Sequence, residues 1–263
     1  MELSNHFKKA WQAYKNNFTP IIFILILFLG IYFSIYLVTE YFATPTFSTI
    51  EKLNITEHNI TENISKEEFS EVLQAYQPVV LILILFLIAI SVTSILLQAG
   101  FWGLCIRGIK RKVNIEIFFS AIKEYGLSYF LATIFILLIF FGVGIFCLAL
   151  STIFFFISPV LAWTGFIVGI VIYFLIMPFF IFISPAIVSG GGVLNSLSQS
   201  FSLGKKHYFE LLLLITILFF ISFLALIVPI IGTILFYFLI VPLATLTICS
   251  YYLEASKKFK KKR

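Results

Sequence analysis

Aspartate is missing from the 263 residues, and histidine occurs only at His6, His58 and His207. Catalytic triads and carboxylate dyads therefore have few members to draw on, and no serine sits in a GxSxG elbow. The histidines are far apart in sequence and fall into no HExxH-like spacing, so the sequence offers no metal motif. Gly190-Gly191-Gly192 lacks the Lys-Ser/Thr of a phosphate loop, and reads instead as a span end that frees the chain to turn. Cys105, Cys147 and Cys249 are odd in number and in no paired spacing, which excludes a disulfide framework and leaves them as small apolar side chains. Charge is scarce as well, at 11% of residues against about a quarter in a soluble domain. No cofactor is implied, and the chain is expected not to be an enzyme; an intramembrane enzyme would need polar groups converging at one depth.

Apolar residues fill the space, at 61% of the sequence with a mean hydropathy of +1.08. Runs of eighteen or more recur, each long enough to cross roughly 30 Å of hydrocarbon as a helix, and no ten-residue alternation points to a barrel. The fold class is all-α: a polytopic helical membrane protein in a single domain. Six spans fall at about 20–39, 78–104, 127–150, 159–188, 209–228 and 231–253. Eighteen mostly polar residues precede the first span, which is too long for a signal peptide.

Lysine and arginine orient these spans. Alternate connecting segments carry sixteen on one face and two on the other, and the richer face is cytoplasmic. Both termini then lie in the cytoplasm, and a multi-pass cell-membrane location is expected. Because insertion itself requires this excess, it does not imply a nucleic-acid partner.

Three stretches lead from the cytoplasm into spans one, three and five: AWQAYKNNFTPIIFIL from Ala10, AIKEYGLSYFLATIFIL from Ala121 and SFSLGKKHYFELLLLI from Ser200. Each places an aromatic residue eight positions after the small one, at Phe18, Tyr129 and Tyr208. The spans closing the second and third copies share YFLIMP at Tyr173–Pro178 and YFLIVP at Tyr237–Pro242. The chain reads as three parallel repeats of an amphipathic helix plus a transmembrane hairpin, at about 4–104, 114–188 and 194–253. Phe7, Ala10, Trp11, Tyr14 and Phe18 form the first apolar stripe. Phe118, Ile122, Tyr125 and Tyr129 form the second; Leu194, Leu197, Phe201 and Tyr208 form the third. Such helices either lie in the headgroup plane or pack under the bundle. The lipid-facing basic residues are Lys8, Lys9, Lys15, Lys205 and Lys206, joined by Lys257, Lys258 and Lys260 of the tail 254–263.

The segment 40–77 is the one sizeable external loop, its first half without a strong pattern. Its second half reads as a helix from a Ser65/Glu68 capping box into the span at Pro78. It carries sequons at Asn54, Asn59 and Asn63, although Asn17-Phe-Thr, on the cytoplasmic side, is a sequon that cannot be used. Glu210 sits at the cytoplasmic end of span five and no other Asp, Glu, Lys, Arg or His falls inside a span, which argues against an ion-coupled transporter. Gln98 is the most polar side chain at membrane depth. Pro178, Pro185 and Pro242 kink spans four and six; the carbonyls they free are either satisfied by neighbours or line a small cavity near Ser184, Thr245 and Thr247.

The stretch SLSQSFSLGKKHYFELL, ending at Leu212, resembles a pattern in six-span prokaryotic proteins. It is similar to the membrane domain that accompanies some glycerophosphodiester phosphodiesterases. Ser200-Phe201, Lys205 and Tyr208 or Phe209 carry the likeness. It implies a helical membrane domain, and the phosphodiesterase part is absent, so no catalytic residue carries over. The expected function is a scaffold, accessory or lipid-interacting subunit with membrane lipids, and a second membrane protein, as partners. A permease for an apolar or lipidic substrate, gated by the proline-kinked helices, is the alternative.

Overall fold

The structure is a computed structural model and describes residues 3–52, 66–228 and 230–260. All regular structure among them is helical. Six helices are long and apolar enough to cross a membrane: Phe18–Val38, Ile84–Gly108, Ile115–Ile157, Trp163–Ile187, Tyr208–Ile227 and Ile231–Lys257.

In chain order the elements are α1 (Leu3–Asn16), α2 (Phe18–Lys52), α3 (Lys66–Gly108), α4 (Ile115–Ile157) and α5 (Pro159–Phe180). Then come the short α6 (Ile183–Ile187), α7 (Val193–Lys206), α8 (Tyr208–Ile227) and the short α9 (Ile231–Leu235). A π-helical turn, Phe236–Ile240, joins α9 to α10 (Val241–Lys260). Residues 26–94 form one compact unit and the remainder another. In the former, Ser34 donates to the Gly30 carbonyl and Ser91 to the Leu87 carbonyl. Each hydroxyl is satisfied within its own helix, as an apolar solvent requires.

Two boundaries differ from the sequence reading. The first half of the loop 40–77 continues α2 as helix to Lys52, and α3 runs unbroken from Lys66 through Pro78. Asn54, Asn59 and Asn63 lie outside the described residues. The second lead-in helix is fused with its span into the 43-residue α4. The first and third lead-ins break because a polar side chain intervenes. Asn17 separates α1 from α2, and its amide donates to the Ala13 and Gly108 carbonyls and accepts from the Val113 amide at 2.8–3.0 Å. His207 makes the second break. Buried in this network, Asn17 is closed to glycosylation as well as being on the expected inner side.

The aromatic stripes are only partly buried: Phe118 and Tyr129 of the second lie inside, while Leu194 and Phe201 of the third are exposed. On α1 the buried positions are His6, Ala10, Ala13 and Tyr14, while Trp11 and Phe18 are exposed. Ala10, Ala121 and Ser200, the small residues that open the three lead-in stretches, are each 0% exposed. Small side chains win the interface because they let helix axes approach closely, which is what drives packing in lipid. Each lead-in also has a particular neighbour. α1 packs on α10, α7 on α5 and α6, and the start of α4 on the last turns of α3. The crossings are tight: a Cβ on Gly103 would collide with Ala121, and one on Gly204 would lie 2.6 Å from the Pro178 carbonyl oxygen. Within the hairpin of α4 and α5, Gly165 and Gly169 face Ser151 and Cys147.

After α6 the chain turns at Gly190, whose φ of 94° is the left-handed conformation that glycine adopts without strain. Cys105, Cys147 and Cys249 are buried and unpaired.

Candidate functional site

The basic end of α10 and the buried face of α1 meet in a cluster that the sequence spacing does not announce. His6 is 1% exposed; its Nδ1 lies 3.1 Å from the Ser250 hydroxyl and its Nε2 is 3.9 Å from a Glu254 oxygen. Burial holds the His6 pKa below the usual imidazole value, against a smaller opposing pull from Glu254. The ring is therefore mostly neutral at pH 7, sharing a hydrogen bond between Nδ1 and the Ser250 hydroxyl while Nε2 faces Glu254.

Tyr251 lies beside His6, ring centroids 4.9 Å apart, and its hydroxyl donates to Glu210. His207 meets the same ring edge-on, and its Nδ1 is 3.5 Å from Glu210. Burial lowers the His207 pKa too, and its Nε2 is buried with no hydrogen-bond partner among the described residues. Phe182 stacks on Tyr251 and closes the floor. Two histidines and two glutamates thus gather around one tyrosine. No group of three or more His, Cys, Asp or Glu among the described residues is arranged to hold a metal.

Above this cluster opens a cleft of about 270 Å³. Lys9 from α1, Lys110 from the turn after α3, and Lys257 from α10 supply its charge. Ser250, Glu254, Ile109 and Leu253 complete the walls. The Lys9 ammonium donates to Glu254 at 3.2 Å, an exposed pair worth under about 1 kcal/mol in stability but enough to bias where the lysine points. Among the described residues Lys110 and Lys257 make no ion pair, so the cleft keeps an excess of positive charge.

Of the basic residues picked from sequence, Lys9 and Lys257 therefore share one site. Lys8, Lys15, Lys205 and Lys206 are exposed elsewhere, with Lys15 sitting 5.1 Å over the Trp11 ring. The side chains of Lys258 and Lys260 are outside the description. Lys110 was missed as a site residue; its signal was a position at the head of Lys110-Arg111-Lys112, directly after a span.

The proline positions resolve differently. Pro242 removes the donor to the Phe238 carbonyl, and the Tyr14 hydroxyl replaces it at 2.7 Å. Burial pushes the Tyr14 phenol up, which keeps it a donor. Below Pro178, Tyr208 donates to the Leu175 carbonyl at 3.0 Å. Pro185 lies buried in α6. Gln98 is reached by the Tyr129 hydroxyl at 3.5 Å, and that hydroxyl also lies 3.3 Å from Ser184. Thr245 and Thr247 bond back to their own helix, at the Val241 and Leu243 carbonyls. Among the described residues these hydroxyls near the kinks have partners, and the cleft lies at the basic end.

Set beside curated proteins and solved structures, the chain finds no match. The comparisons lend no support to the phosphodiesterase-associated membrane domain that the Ser200–Phe209 stretch resembles. A family match does cover residues 1–256, and on that extent the chain belongs to the family described as "Domain of unknown function (DUF7847)".

Proposed function

We propose that this chain is a non-enzymatic, lipid-interacting scaffold or accessory subunit of the cell membrane, with both termini in the cytoplasm. The observation that carries the reading is the division of labour on the lead-in helices. Their small residues face the bundle, while Trp11, Phe18, Phe119, Phe201 and Phe209 are exposed beside Lys8, Lys15, Lys123, Lys205 and Lys206. Exposed rings next to lysines suit the interface of an anionic leaflet, where the ring sits at headgroup depth and the ammonium meets phosphate.

The threefold arrangement belongs to the same proposal. Its support is that each lead-in helix packs on the helix closing the preceding copy, with α1 on α10 completing the ring. The permease reading draws on the π-helical turn before Pro242, since such turns often mark functional sites. The Tyr14 hydrogen bond counts against a moving gate there, because opening would leave the Phe238 carbonyl bare.

Trp11 offers the test. With Trp102→Phe and Trp163→Phe leaving it as sole tryptophan, its fluorescence is measured in membranes carrying quenchers at different depths. Quenching strongest from headgroup-level labels supports an interfacial α1. Indifference to every lipid quencher would remove the lipid-interacting reading.

A further inference from the structure

We propose that the Lys9/Lys110/Lys257 cleft is a binding site for one phosphoryl group, with the headgroup of an anionic phospholipid as its natural bearer. This deepens the lipid-interacting reading and rests on it. Three ammonium groups from three separate parts of the fold converge on one opening, and a single carboxylate, Glu254, answers them. Like charges gathered around one opening repel, and a bound anion relieves that repulsion. The floor adds a donor of the right kind. Ser250 is 4% exposed and lines the cleft, and rotation of its hydroxyl from His6 toward the opening supplies a hydrogen bond to a phosphoryl oxygen.

Size and position limit the ligand further. A volume of about 270 Å³ falls below the roughly 300–1,000 Å³ of sites for drug-sized molecules, so a headgroup fits and a whole lipid does not. Lys110 lies in the turn just past α3 and Lys257 near the end of α10, both helices long and apolar enough to span a membrane, which suits a site at the headgroup layer. Ile109 and Leu253 on the wall give an apolar flank on which the first carbons of a glycerol ester can rest. Glu254 has a role of its own. By holding Lys9 at 3.2 Å it positions that ammonium while lowering the net charge, which favours a monoanionic diester over more highly charged groups.

The test uses the full chain, extracted and reconstituted in phosphatidylcholine nanodiscs with or without phosphatidylglycerol, with native mass spectrometry counting retained lipids. The wild type is expected to retain one phosphatidylglycerol. Lys110→Gln with Lys257→Gln is expected to weaken retention by roughly fivefold for each lysine neutralised, the worth of one basic residue near an anionic surface. Lys52→Gln with Lys66→Gln, an equal loss of charge on the expected outer side, keeps the retained lipid. A parallel arm titrates inorganic phosphate into the phosphatidylcholine discs. Cleft-dependent binding there without phosphatidylglycerol retention assigns the same site to a free phosphate. Equal loss from both lysine pairs, or no retention of either ligand by the wild type, overturns the site. The Trp11 quenching separates the two failures: interfacial quenching with no cleft-dependent retention removes the site alone, and absent quenching removes the lipid reading beneath it.

Discussion

Tyr14→Phe removes one oxygen and tests how the kinked last span is held. The Tyr14 hydroxyl donates 2.7 Å to the Phe238 carbonyl, which Pro242 has deprived of its helical donor. Tyr14 is 6% exposed, and Phe238 lies within the span Ile231–Lys257, so water is a poor substitute. An acceptor left bare in such a place costs about 1–3 kcal/mol, and the packing of the ring is unchanged by the substitution. The expected loss is therefore in that range, read as the shift in unfolding free energy in mixed micelles. A second change makes the reasoning sharp. Pro242→Ala restores an N–H four residues after Phe238, so the carbonyl regains a partner within its own helix. In that background Tyr14→Phe is expected to cost at least about 1 kcal/mol less, which a double-mutant cycle measures. Additive effects, or a Tyr14→Phe loss within a few tenths of a kcal/mol, would refute the claim that the phenol compensates the proline.

Gly204→Ala forces a Cβ to within 2.6 Å of the Pro178 oxygen and 2.8 Å of the Phe179 Cα, both backbone atoms, and is expected to cost about 1–3 kcal/mol; a neutral result would contradict the close crossing. Asn17→Ala strands the Gly108 carbonyl and the Val113 amide, with an expected loss of about 1–3 kcal/mol in the same unfolding assay. Stability should also depend on pH through His6 and His207, whose folded pKa values are lowered by burial. The unfolded chain then binds more protons, so their contribution is full above about pH 6.5 and is lost as pH falls from there through the folded values. His6→Asn with His207→Asn is expected to flatten the Tm profile below about pH 6.5, and an unaltered slope would show that the histidines do not titrate on unfolding.

The spans were legible because a bilayer imposes length and apolarity on every crossing helix, and both survive in the bare sequence. Which face of a lead-in helix turns inward was less so. The rings of Trp11 and Phe18 look like core yet are exposed, while Tyr14 and Phe118 of the same kind of stripe are buried, and small residues such as Ala10 and Ser200 mark the contact. The fusion of lead-in and span in α4 was hidden for a related reason: Ser128, at the position matching Asn17 and His207, does not interrupt the helix. The site was harder still. His6 meets Ser250 and Lys9 meets Glu254 across almost the whole chain, and Tyr14 finds Phe238 over a similar distance. Local pattern contains nothing of such pairings. Only the closure of α1 against α10 brings them together.

Sided labelling tests the central claim, a bundle that crosses the membrane with its basic lead-in helices on the cytoplasmic side. The native cysteines are buried and stay silent to an impermeant maleimide, so single additions at Lys8→Cys, Lys205→Cys and Ile230→Cys report cleanly. Labelling of Lys8→Cys and Lys205→Cys only from the cytoplasmic face, with Ile230→Cys only from the outer face, is the expected result. Reaction of Lys8→Cys and Ile230→Cys from the same face would contradict it.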